Sequence, residues 1–150
     1  MNQLDLIRTE SAVAKLKDLF ENLKSDDIFR FGNYYHANAS FRDPFNDVTG
    51  IEHIKKIFKH MFEQVECPKF IITRAIIHEG EAMLFWDFKF NLTIFWQKKS
   101  RCIQGVSHVC FDETGLVKMH RDYWDAAEEL YSHLPIIGSW MRALQRLMSA

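Results

Sequence analysis

The sequence predicts an α+β fold: three N-terminal helices, then a curved antiparallel sheet, then a helical extension at the C-terminus. Three observations carry this expectation. Val13, Leu16, Phe20 and Leu23 recur at helical spacing. In "AMLFWDFKFNLTIFW", residues 82–96, every even position is apolar, from Ala82, Leu84, Trp86 and Phe88 through Phe90, Leu92 and Ile94 to Trp96. The odd positions include Asp87, Lys89, Asn91 and Thr93, so this is a long strand with one buried face. Finally, "DETG" at 112–115 has the turn residues of a hairpin, with Gly115 suited to the left-handed position.

The elements follow in order. The first periodic stretch predicts a helix over about 9–24. Ser25 and Asp26 can cap a second helix that carries Ile28, Phe31 and Tyr35. "ASFRDPF", 39–45, reads as a short strand stopped at Pro44, which cannot donate to a ladder. Thr49 and Glu52 form a capping-box pattern before a third helix buried through Ile51, Ile54, Phe58, Met61 and Phe62. After Pro68, "KFIITRAIIHE" reads as a strand that turns at Glu79 and Gly80. A further strand, about 101–111, pairs through the "DETG" turn with the stretch containing "MHRDYWD". That register sets Phe111 opposite Leu116, Ser107 opposite His120 and Gly105 opposite Asp122. Strand alternation puts His120, Asp122 and Trp124 on one face, with Arg121 and Tyr123 on the other. Asp125, three residues before Glu128, can cap a closing helix.

At 150 residues the chain is read as a single domain, 1–150, with a core over about 10–126 and an extension over about 126–150. A net charge of −1 without a basic run argues against nucleic acid, and no stretch has transmembrane length. Cys67, Cys102 and Cys110 lack CxxC spacing and read as reduced thiols of a cytoplasmic protein. No P-loop, GxGxxG, GxSxG or zinc-type cluster is present, so neither a metal nor another cofactor is implied. His53 and His60 read as solvated histidines of the third helix. In the tail, Ile137, Trp140, Met141, Leu144, Leu147 and Met148 make an apolar helical face. Packing on the sheet as a lid, packing on a second subunit, and lying on a membrane surface are its open alternatives.

In this order and spacing, "ASFRDPF" followed by Gly50, then "FDETGLV" and "HRDYWD", resemble the nuclear transport factor 2-like superfamily. Its enzymes include ketosteroid isomerases and SnoaL-type polyketide cyclases. The resemblance implies a cone-shaped, cystatin-like curved sheet wrapped around the helices, with a deep apolar pocket at its wide end. In ketosteroid isomerases the general base is an Asp before Pro at the end of the first strand, which Asp43 matches. Their oxyanion donors, a Tyr and a protonated Asp, correspond here to Leu19 and Ser107. SnoaL-like cyclases carry an acid/base Asp on the last strand, which Asp122 resembles.

The resemblance therefore implies a cofactor-independent isomerase, cyclase or lyase acting on a small apolar molecule. Asp43, His120 and Asp122 would be catalytic, and Tyr34 or Tyr35, Trp86, Phe88, Ser107 and Trp124 would meet the substrate. Two carboxyls desolvated in one pocket can divide the roles of acid and base. A homodimer paired through the outer sheet face, which carries Phe85, Arg121 and Tyr123, is also implied. The residues alone leave other roles open. Asp43 can close an Asx-turn, His120 and Asp122 can be a buried pair that fixes strand register, and the pocket can bind without catalysing.

Overall fold

The computed structural model describes residues 3–94, 96–129, 144, 146 and 147. The chain opens with helix α1 (Gln3–Glu21) and a 3-10 helix (Ser25–Asn33), followed by strands β1 (Tyr35–Arg42) and β2 (Asp47–Thr49). Helix α2 (Ile51–Gln64) leads into β3 (Glu66–His78), β4 (Glu81–Ile94), β5 (Gln97–Phe111) and β6 (Val117–Tyr123), and α3 (Ala126–Glu129) follows. The strands form one curved sheet in the order β2-β1-β6-β5-β4-β3. It is mixed rather than wholly antiparallel, because β1 runs parallel to β6. A parallel pair needs a long crossover. Here β2, α2 and the meander β3–β5 supply it, so the pairing leaves no local trace in the sequence.

The helices differ from their expected bounds for identifiable reasons. α1 begins six residues early because its first turns are held by polar contacts, with Arg8 paired to Asp5 and Thr9 Oγ1 donating to the Asp5 carbonyl at 2.7 Å. Its apolar face, Ala12, Val13, Leu16, Leu19 and Phe20, is buried. The second helix is 3-10, with Lys24 rather than Ser25 or Asp26 at its N-cap, and the Asp27 carboxylate accepts from the Lys24 backbone N–H. Tyr35, expected on that helix, begins β1 instead. The Thr49–Glu52 capping box does not form: Gly50, at φ 101°, caps α2, and Thr49 belongs to β2.

The sheet keeps the expected alternation with three corrections. Ala82, Leu84, Trp86, Phe88 and Phe90 are buried, whereas Trp96 is 98% exposed at a turn with φ 65°. The hairpin tip ends the strand, and with it the alternation that placed Trp96 inside. β3 starts at Glu66, before Pro68, which it tolerates as an edge strand with a bulge at that point. The β5–β6 register departs from the expected one by one residue at the turn, where Phe111 is opposite Val117, and by two beyond it, where Val109 is opposite His120 and Ser107 opposite Asp122. The Asp112–Leu116 loop is one residue longer than expected, and an irregularity between Cys110 and Phe111 adds another. An even shift preserves the face of every side chain. Gly115 is left-handed, as expected, at φ 85°.

Asp125 Oδ1 accepts from the Glu128 N–H at 3.0 Å, capping α3. Among the described residues no helix is long and apolar enough to cross a membrane. Ile137, Trp140, Met141 and Met148 of the expected tail helix lie outside the described residues.

Candidate active site

His120 is 3% exposed, set on β6 between Val109 of β5 and Phe41 of β1. Its ring stacks parallel to Tyr35 and meets Phe41 and Phe20 at centroid distances of 4.9 and 5.9 Å. Inside this aromatic box both ring nitrogens find polar partners. Nδ1 lies 2.7 Å from Tyr35 Oη, and Nε2 lies 2.8 Å from Asp122 Oδ1 and 3.2 Å from Ser107 Oγ. Ser107 donates to Asp122 Oδ1 at 2.5 Å and accepts the Trp86 indole N–H at 2.9 Å.

The donor count assigns the tautomer. Ser107 spends its one hydrogen on Asp122, and a carboxylate only accepts, so His120 Nε2 carries a hydrogen; the buried Tyr35 hydroxyl has Nδ1 as its one partner among the described residues and donates there. Burial, and secondarily the charge of Asp122, push the Tyr35 phenol well above its ordinary value of 10.0, so it retains that proton. Both bonds accepted by Asp122 fall on Oδ1, and Oδ2 bonds no described residue. Among the described residues no buried side-chain nitrogen or oxygen lacks a partner.

Trp86 reaches Ser107 because its cross-strand neighbour is Gly105. A Cβ at Gly105 would sit 2.3 Å from the indole ring, so the missing side chain is the space the ring occupies.

Asp43 has a different setting. Its Oδ1 accepts the backbone N–H groups of Phe45 and Asn46, each at 2.7 Å, and both carboxylate oxygens accept the Asn46 amide at 3.0 Å. This is an Asx-type turn that reverses the chain between β1 and β2.

A cavity of about 530 Å³ lies between α2 and the sheet. Phe70, Phe88, Phe90, Leu92 and Ile103 form much of the sheet-side wall, with Ile57, Phe58 and Met61 of α2 facing them. Asp43, Asp122, Trp86 and Trp124 also line it, so the structure brings five of the expected site residues, Phe88 included, to one space. Tyr35, Ser107 and His120 do not line the cavity; they stand behind Asp122 and hold it. Tyr34 lies apart, on a polar groove with Asp18, Lys24, Asp27 and Arg30.

Sequence reasoning missed Asn46 and Gln64, which also line the cavity; His60, exposed as expected, joins them at its edge. His60 and Gln64 are one helical turn apart and hydrogen-bonded at 2.8 Å. That i,i+4 spacing, beside Ile57 and Met61, was the available signal.

A family model described as a SnoaL-like domain matches residues 16–120, and the chain belongs to that family. Solved structures share its fold. A candidate SnoaL-like polyketide cyclase from Jannaschia sp. CCS1 aligns with a TM-score of 0.69 at 11% identity, covering 85% of this chain and 92% of the other. An LEH-like epoxide hydrolase from M. tuberculosis aligns at 0.60 and 15% identity, covering 95% and 96%. A hypothetical protein of ketosteroid isomerase-like fold from Catenulispora acidiphila, in complex with trimethylamine, aligns at 0.65 and 12% identity, covering 79% and 88%. No curated protein matches the sequence.

Proposed function

We propose that this chain is a cofactor-independent acid/base enzyme of isomerase, cyclase or lyase type, acting on a small apolar molecule in the cavity between α2 and the sheet. The observation that carries the reading is the state of Asp122. Its Oδ1 is held by His120 and Ser107, and its Oδ2 is left for a substrate at an apolar wall. Oδ2 takes a proton from a substrate C–H and returns it at another atom. The His120 N–H and Ser107 O–H hold Oδ1, so Oδ2 stays aimed at the substrate as the carboxylate that removes the proton and as the carboxylic acid that returns it, and Tyr35 orients the imidazole. Asp122 is the catalytic residue, and His120, Ser107, Tyr35 and Trp86 position it. Asp43 shapes the rim, and Trp124, edge-on to Phe45 at 5.4 Å, closes the wall beside it. The trimethylamine held by the Catenulispora protein accords with a small-molecule site in this fold.

A test that needs no knowledge of the substrate uses nitrobenzisoxazole. Its ring opens when a base removes the ring C–H proton and the N–O bond breaks to leave a coloured phenolate. The wild-type protein should accelerate this opening, and Asp122→Asn should lower the rate by about 10²-fold. Equal rates would sink the catalytic reading.

One observation favours a second reading, a pocket that binds without catalysing. The amide and imidazole groups on the cavity wall are partly committed elsewhere, since the Asn46 amide serves Asp43 and His60 contacts Gln64. A substrate oxyanion would therefore find few free donors. Binding of the probe without turnover would establish that alternative.

The protein is further read as a single-domain cytoplasmic homodimer. Three free cysteines support the compartment, and the outer sheet face supports the pairing, with half-exposed Tyr123 under the Arg121 guanidinium at 4.6 Å and Phe85 alongside. A monomer mass by light scattering at micromolar concentration would refute the dimer.

A further inference from the structure

The outer face of the sheet carries a second cluster, unrelated to the cavity. Glu81 opens β4 and pairs with Cys110 near the end of β5, and His108 lies two residues before Cys110. Strand alternation therefore puts all three side chains on one face. His108 Nε2 lies 2.7 Å from Glu81 Oε2, and Cys110 Sγ lies 3.7 Å from each of those atoms. All three ligand atoms fall within 4.8 Å of one another, on residues that are neither buried nor fully exposed.

We propose that Glu81, His108 and Cys110 form a binding site for a zinc-class dication. Zinc bonds of about 2.3 Å to sulfur and about 2.0–2.2 Å to nitrogen or oxygen imply tetrahedral edges of about 3.6 Å from sulfur to either partner. The two sulfur edges already stand at 3.7 Å. Only the His108–Glu81 edge must open, by roughly half an ångström, as two metal bonds replace one hydrogen bond. An ion pair between His108 and Glu81 accounts for their own approach. Cys110, directly across from Glu81, donates its S–H to the same Oε2, so without metal one shared carboxylate oxygen already gathers all three donor atoms.

The donor set is one imidazole, one thiolate and one carboxylate. That mixture selects zinc or cobalt over magnesium or calcium, which prefer oxygen alone. Three protein ligands leave a fourth position open, the arrangement of a reactive rather than a closed structural site. The cross-strand row continues on both sides with further donors, His78 opposite Glu81 and Met119 opposite Cys110. Arg121 stands opposite His108, and Lys118 acts on Cys110 electrostatically. The carboxylate and thiolate together supply the two negative charges that offset the dication against these cations. Binding takes the Cys110 sulfur as thiolate, so metal entry releases a proton.

Cobalt titration of the intact protein tests the site. One equivalent of Co²⁺ should give a thiolate-to-cobalt charge-transfer band that Zn²⁺ abolishes by displacement. Cys110→Ser should remove the band, and Cys102→Ser, at an exposed cysteine outside the cluster, should retain it. A wild-type protein without the band, or a Cys110→Ser protein that keeps it, overturns the proposal. Should Cys110→Ser fail to fold, alkylation of the unaltered protein decides. Zn²⁺ at ten times its Kd leaves about a tenth of the sites empty, so it should slow labelling of Cys110 by about tenfold relative to Cys67 and Cys102, and equal labelling with and without Zn²⁺ overturns the site.

Discussion

Ser107 and Asp122 face each other across β5 and β6, and the serine hydroxyl donates to the carboxylate at 2.5 Å while accepting the Trp86 indole N–H at 2.9 Å. One hydroxyl thus joins a pocket carboxylate to a core aromatic. Ser107→Ala removes both bonds at once and leaves the Trp86 N–H without its partner. A buried donor stranded in this way costs about 1–3 kcal/mol. Urea denaturation should show a loss of that size, with Ser107→Thr recovering part of it. An unchanged midpoint for Ser107→Ala would mean that the network adds nothing to stability.

Gly105→Ala tests the space that Trp86 occupies. A Cβ there meets the indole at 2.3 Å, so the ring must move and its bond to Ser107 must lengthen or break. Overpacking of this kind costs about 1–3 kcal/mol. The expected readout is a lowered Tm with a changed Trp fluorescence spectrum, and pairing with Trp86→Phe should relieve much of the loss.

Tyr35 gives a pH dependence with a definite sign. Its phenol is raised in the folded state, chiefly by burial and then by Asp122. Below the unfolded value of about 10 both states hold the proton, and the stabilisation is complete. Above it only the unfolded chain ionises at first, so stability falls as the pH climbs toward the higher folded value. Unfolding free energies measured from about pH 8 to about pH 11 should decline more steeply for the wild type than for Tyr35→Phe. Parallel curves would contradict the burial of this phenol.

Asp43 and Asp122 should separate cleanly. Asp43→Ala deletes the acceptor of two backbone N–H groups in the β1–β2 turn and should destabilise by about 1–3 kcal/mol. Asp43→Asn keeps one acceptor oxygen and should restore most of that loss, with a far smaller effect on nitrobenzisoxazole opening than Asp122→Asn. If Asp43→Asn abolishes turnover on a stable fold, the rim carboxylate is the base and the assignment reverses.

Much of the architecture was legible because it rests on local periodicity. The even positions from Ala82 to Phe90 face inward as their spacing demanded, and α1 buries Val13, Leu16 and Phe20. The family assignment rests on the same legible segments, since the matched region runs from 16 to 120. Ends and caps were less legible. Trp96 has a strand's spacing but sits in a turn, and Gly50 displaces the Thr49 cap by adopting a conformation that no spacing rule reports.

The sequence by itself determined which residues share a face, because alternation along a strand survives any even shift of register. From parity alone His120 and Asp122 stand on the side of the sheet that Ser107 also faces. Only the tertiary structure decided what each residue there touches. The longer Asp112–Leu116 loop and the β5–β6 irregularity together put Ser107 against Asp122 rather than His120, and the parallel β1–β6 pair brings Tyr35 to an imidazole 85 residues away. The same holds for Glu81 and His108, 27 residues apart in sequence and hydrogen-bonded in the fold. Hydrogen bonds and metal geometry are satisfied within ångströms, and separations of that order between distant residues are set by strand pairing and bulges, which a linear pattern does not encode.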